Sequence, residues 1–166
     1  MRNNTQTHGL TLGFIDVGLT LPSTSVYSTA VAAAGIINGK FVTSLGVKTT
    51  QATPTTDATT GAAFIALIEN KATVLVFGQT AAGAIAMSQG SIVDTYVGVT
   101  TTVGAFKNAP EFPTLPDNFL PLAYVLVRTA PDAADWTPGT GSWTASGVTT
   151  GTVVDIGALP DRPQIA

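Results

Sequence analysis

The chain has 166 residues and a mass of 16.9 kDa, a length that fits one domain. It carries no Cys, one His and a net charge of −3, with charged residues at only 10 % of the total, against about 25 % in an ordinary soluble protein. These numbers exclude disulfides, thiolate metal sites and Cys nucleophiles, leave a His-based triad or zinc site a single candidate, and supply no clustered basic face for nucleic acid or an anionic membrane.

Met1 to His8 (MRNNTQTH) lacks apolar periodicity and is expected to be an extended arm, ordered only where a partner holds it. Residues 9 to 166 are then expected to form one β domain. The N-terminal stretch is too polar for a secretory signal, and no apolar run approaches the ~20 residues that span a bilayer. The chain therefore reads as a mature protein made in the cytoplasm.

Gly9 to Val17 (GLTLGFIDV) alternates apolar and other residues and predicts a strand. Val26 to Ile37 is rich in β-branched residues, Ala and Tyr. Asn38-Gly39 between Ile36-Ile37 and Phe41-Val42 predicts a two-residue hairpin turn, because both turn residues tolerate positive φ. Thr49 to Thr60 is a polar Thr/Pro loop. Thr60 is placed to cap a short helix in which Phe64, Leu67 and Ile68 fall at helical spacing, although a strand explains so short a run almost as well. Thr73 to Phe77 predicts a strand, followed by a turn at Gly78 to Thr80, a strand at Ala84 to Met87 and a turn at Gln89-Gly90. Ile92 to Val103 is strand-like, with Gly98 suiting a bulge.

Pro110 to Pro121 holds four prolines, which predicts an extended crossing segment rather than a helix or a central strand. Leu122 to Val127 predicts a strand, Pro131 to Gly141 a loop, and Ser142 to Ala145 and Thr152 to Ile156 two further strands. Leu159 to Pro163 forms a Pro-braced tail. Many short strands broken by Gly and Pro predict a mainly β fold: a β-sandwich or jelly-roll-like barrel with at most one short helix.

The residues that could carry chemistry are few. Most Asp lie beside Gly, Pro or Thr, where they make turns. Asp132 and Asp135 provide one short acidic loop, far below the oxygen count of a Ca²⁺ loop. His8 sits in the predicted arm and lacks the positioning a general base needs. Gly139-Thr140-Gly141 reads as a turn rather than a phosphate loop, and no GxSxG, HExxH or P-loop pattern occurs. No metal or cofactor is expected. Tyr124, Trp136 and Trp143, with Phe112, suit core packing or a subunit contact, or alternatively a sugar-stacking platform.

Sparse charge has a physical consequence. A globule of this mass exposes about 7,700 Å², more than the chain's 17 charged side chains can cover, and its 28 Thr take places that Lys and Glu usually fill. Such a surface has weak protection against self-association. Val74 to Phe77 and Leu122 to Val127 are also apolar on both strand faces. The cover for the second face is either a neighbouring subunit or the chain's own Pro-rich segment or short helix.

Five phrases carry a family resemblance. They are Asp57-Ala-Thr-Thr-Gly61 before Phe64; Phe77-Gly78 with Ala82-Gly83 and Gln89-Gly90; Phe112-Pro-Thr-Leu-Pro-Asp117 before Pro121-Leu-Ala-Tyr124; Trp136-Thr-Pro-Gly-Thr140 before Trp143; and the closing Leu159-Pro-Asp-Arg-Pro-Gln164. From about Asp57 onward the chain resembles small virion structural proteins of tailed bacteriophages, of the head decoration, cement or head-fibre kind. The resemblance implies a mostly β homotrimer on the outside of an icosahedral shell, with the chain itself and the major capsid protein as partners and no catalysis. The arm and the Pro-braced tail are expected to lie across shell subunits, with Arg2, Asn3, Asn4 and His8 in the capsid contact. The alternatives are a tail, neck or fibre component that binds glycans through exposed aromatics, and a hydrolase with paired carboxylates, which scarce Glu disfavours.

Overall fold

The computed structural model describes residues 11–22, 24–42 and 46–164. The described residues contain no helix; they form twelve strands in three sheets, none closed into a barrel. The fold is mainly β and sandwich-like, as the punctuated short-strand pattern predicts; the jelly-roll-like barrel is not formed.

The framework is an antiparallel pair, β7 (Lys71–Thr80) and β10 (Phe119–Thr129). β8 (Ile85–Gln89) and β9 (Val93–Asp94) add to the outer side of β7, and β11 (Val148–Thr150) and β12 (Val154–Asp155) to the outer side of β10. The turn placed at Gly78 to Thr80 lies further on, because β7 continues through Thr80 and turns back over residues 81–84. The register between β7 and β10 shifts between Pro121 and Ala123. Pro121 therefore lies within a central strand, contrary to expectation, at a point where the ladder is already interrupted and a missing N–H is tolerated. The shift also resolves the unbroken apolar run. Leu120 and then Ala123, Val125 and Val127 face one core with Leu75 and Phe77, while Tyr124 and Leu126 face another with Val74 and Val76.

Both faces of this sheet are covered by the chain itself. The first lies against residues of two small sheets, including Leu19, Tyr27 and Ile37, and against Phe64, Leu67, Trp136 and Trp143. One small sheet is β2 (Leu19–Thr20), β3 (Val26–Thr29) and β6 (Gln51–Ala52); the other is β1 (Leu12–Gly13), β4 (Gly35–Ile37) and β5 (Lys40–Val42). The second face lies under Phe106, under the Pro-rich crossing segment through Phe112 and Leu115, and under Ile156 and Leu159 near the C-terminus. A sister chain is not needed to hide β7 and β10. The Pro-braced tail, expected to reach across other subunits, packs on its own chain, with the Gln164 N–H donating to the Tyr124 hydroxyl at 3.0 Å.

Asn38 and Gly39 adopt φ of 52° and 75° and join β4 to β5, as their sequence predicts. The helix placed after Thr60 does not form. Asp57 Oδ1 accepts from the N–H groups of Thr59 and Thr60 and winds a tight turn there, and Leu67 pairs its backbone with Trp136 in both directions at 2.8 and 2.9 Å. Phe64 and Leu67 are buried while Ile68 is exposed, so the helical spacing was only partly a buried face. Residues 142–145 form turns instead of a strand, and β11 begins three residues later.

Candidate interaction surface

The β1-β4-β5 sheet has two unlike faces. Register places Leu12, Ile36 and Phe41 in one cross-strand row, with Gly13, Gly35 and Val42 in the next. Alternation sends the two rows to opposite sides. The glycine row turns inward: Gly35 meets Leu120, and Val42 and Ile37 pack against the core. The other row turns outward and is apolar throughout. Phe14 joins it, stacking on Phe41 with ring centroids 6.2 Å apart, and Phe41 is 63 % exposed. The solvent face of an antiparallel sheet is ordinarily polar; this one presents Leu12, Phe14 and Phe41, with Ile36 half-buried in the same row.

Among the described residues the same sheet has an open edge. The Phe14 N–H donates to the Ala34 carbonyl at 3.0 Å. That bond fixes which residues of β4 bond to β1, and the alternation of an antiparallel ladder then leaves Ile37–Lys40 and Gly35–Val42 as the bonded pairs with β5. The peptide N–H and C=O of Phe41 therefore point away from β4. By contrast, the outer edge of β8 is closed. Ala58 N–H donates to the Met87 carbonyl at 2.9 Å and Asp57 Oδ2 accepts from Gln89 N–H at 3.0 Å.

A second apolar surface lies on the hairpin that continues β9. Thr95 pairs with Phe106 and Val99 with Thr102, around a turn with Thr100 at φ 53°. A β-carbon on Gly98 would collide with the Thr102 carbonyl, and one on Gly104 with the Tyr96 carbonyl, so the two arms can close only on glycine. Val97 and Val99 are 75 % and 76 % exposed, and Tyr96 is exposed beside them. Arg128 anchors the base, lying over the Phe106 ring at 5.0 Å and donating to the Gly104 carbonyl at 3.2 Å. Lys71 bonds Asp94 at 2.5 Å; this bond, with the Lys71 charge, holds the Asp94 carboxyl below its ordinary pKa. The hairpin grows from the Lys71 end of β7, whereas Gly35 and Asn38 meet Leu120 and Asp117 near the Thr80 end. The two surfaces thus stand at opposite ends of β7, about 25 Å apart at the rise of a strand.

The aromatics singled out from sequence lie inside. Trp136 and Trp143 are 2 % exposed and Tyr124 1 %. The two indoles pack at 5.2 Å, with their N–H groups donating to the carbonyls of Ser142 and Val26. Tyr124 meets Phe112 edge-on at 5.1 Å. Rings this enclosed present no stacking surface to a sugar, which corrects the platform expectation; their packing role is the one the fold uses. An open groove of about 530 Å³ beside Trp143, lined by Leu21, Thr144, Val148 and Val153, holds no charged side chain. Among the described residues no three of His, Cys, Asp and Glu gather closely enough to hold a metal ion, and Asp132 and Asp135 are exposed. Arg2, Asn3, Asn4 and His8 lie outside the described residues.

No protein-family model, curated protein or solved structure matches this chain.

Sequence reasoning found the indoles and the hairpin turn, and of its two alternatives for covering β7 and β10 the Pro-rich segment is the one the fold uses; it did not locate the outward face of β1-β4-β5. Leu12 and Phe14 alternating before Asn38-Gly39 flanked by Ile36 and Phe41 was the available signal. It needed the register of β1 on β4 to become a face.

Proposed function

We propose that this chain is a non-enzymatic virion building block: a head-decoration (cement) subunit of a tailed bacteriophage that assembles as a homotrimer on the capsid exterior and stabilises the shell. The observation that carries the reading is the outward face of β1-β4-β5, where four apolar side chains stand together beside an open strand edge. Contiguous exposed apolar area of this kind marks an interaction site. A cement protein works by covering surface, so it requires a rigid body with adhesive faces and no reacting groups. The enclosed two-faced sheet is such a body, and the face and hairpin are adhesive in that sense. The sparse charge, the phage-like phrases from Asp57 onward and the polar N-terminal segment agree with this reading. Arg2, Asn3, Asn4 and His8 are assigned to the capsid contact, because an extended polar segment adds backbone hydrogen bonds without needing a preformed pocket.

The test is a binding experiment on phage heads stripped of their decoration. The full chain is expected to run as a trimer by light scattering and to sediment with the heads. Deleting Met1 to His8 is expected to lower occupancy by tenfold or more while the trimer survives. A chain that stays monomeric and fails to sediment with any head overturns the reading; unchanged occupancy after the deletion overturns the assignment of the arm.

A further inference from the structure

We infer that the apolar hairpin of one copy seats on the outward face of β1-β4-β5 of a second copy, head to tail. The inference rests on the reading of that face as an adhesive surface, and it names the occupant. Area is the first reason. At about 150–200 Å² for a fully exposed large side chain, the outward face and the hairpin tip each leave about 300 Å² of apolar surface uncovered. A polar partner would cover either patch without contributing apolar area of its own. Hairpin on face joins about 600 Å², which at the usual apolar share corresponds to an interface of about 1,000 Å², the lower limit for a specific contact.

Placement is the second reason. Because the two surfaces stand at opposite ends of β7, face on face would leave every hairpin bare, and hairpin on hairpin every face. Head-to-tail docking buries both with one kind of contact, and a contact between two unlike surfaces closes into a ring when its rotation allows. The open edge at Phe41 offers one peptide N–H and one C=O to the incoming hairpin.

The contact is testable by complementation. Phe41→Asp breaks the face, and Val97→Asp with Val99→Asp breaks the hairpin; all three positions are exposed, and Phe41→Ser serves as a second face variant should the aspartate disturb folding. By light scattering at about 100 µM, the unaltered chain is expected to assemble and each variant alone to be monomeric with an unchanged circular-dichroism spectrum. Mixed one to one, a face variant and the hairpin variant retain a single intact contact and are expected to form a heterodimer that grows no further. Three outcomes overturn the inference: a hairpin variant that assembles like the unaltered chain, a face variant that does so, or two variants that remain monomers when mixed. An unaltered chain that is monomeric yet coats phage heads overturns this contact, and the homotrimer with it, and spares the head-decoration role. One that assembles through this contact but ignores heads does the reverse.

Discussion

The β7–β10 sheet and the β1-β4-β5 sheet are both apolar on two faces, yet only one of them is finished by its own chain. β7 and β10 lie between two cores, one roofed by the small sheets and the other by the Pro-rich crossing and the tail. β1-β4-β5 buries its glycine row and leaves Leu12, Phe14 and Phe41 in solvent. Apolarity on both faces of a strand is therefore not by itself the mark of a subunit contact. What decides is whether later segments return to cover the second face, and the returning segments after β8 go to the centre.

The strongest way to break this contrast is to remove one aromatic from each region. Trp136→Ala empties the centre of the first core, removes the indole N–H bond to Ser142 and strips the neighbour of Trp143. It is expected to cost about 3–5 kcal/mol of stability, read by urea denaturation. Phe41→Ala removes a ring of similar kind from the outward face and is expected to cost less than about 0.5 kcal/mol in the dissociated chain. Equal losses at the two positions would mean that the outward face is packed as a core, and the distinction between the regions would fall.

The edges repeat the contrast on a smaller scale. Asp57 accepts three backbone N–H groups, from Thr59, Thr60 and Gln89, and so ties the 57–60 turn across the edge of β8. Among the described residues no side chain does this for β5. Asp57→Ala leaves partly buried donors without their acceptor and is expected to cost about 2–3 kcal/mol. Hydrogen exchange should locate the damage, with protection lost in β8 and kept in β10. A variant as stable as the parent would show that the β8 edge does not depend on this carboxylate.

How much of this was legible in the sequence follows from range. Asn38-Gly39 and the β-branched runs at Thr73 and Leu122 act through their own backbone preferences, so the hairpin and the two long strands could be read directly. The segment after Thr60 could not. Its helical spacing is real, but the winning interactions are Asp57 with Gln89 and Leu67 with Trp136, made by residues 32 and 69 positions apart. The roof over Val74 and Tyr124 depends likewise on where the prolines cross, which composition does not reveal. Trp136 and Trp143 were legible as packing residues, but a loop position beside Pro138-Gly139 does not tell whether the indoles pack inside the fold or against another subunit; the structure puts them inside. The outward face required the register of β1 on β4, a pairing across more than twenty residues.

The smallest expected effect lies at the seam between the central sheet and the β2-β3-β6 sheet, part of the roof that finishes the first region. Asp155 of β12 belongs to the central sheet and accepts from the Leu19 N–H of β2 at 3.2 Å. Burial pushes its carboxyl above the ordinary value, the nearby Asp16 adds to the rise, and the bonds from Leu19 and Gly18 oppose it. Such a carboxyl is better tolerated protonated. Its contribution to stability is whole below the unfolded value, about 3.9, and declines as pH climbs through the raised folded value. Asp155→Asn keeps an oxygen for Leu19 and removes the charge. It is expected to melt slightly above the parent at pH 7 and to coincide with it at pH 3. A gain that persists at pH 3 would assign the effect to packing instead of charge. A loss at pH 7 would mean that the ionised carboxylate, through its bonds to the β2 segment, stabilises the seam and the roof is held to the central sheet electrostatically.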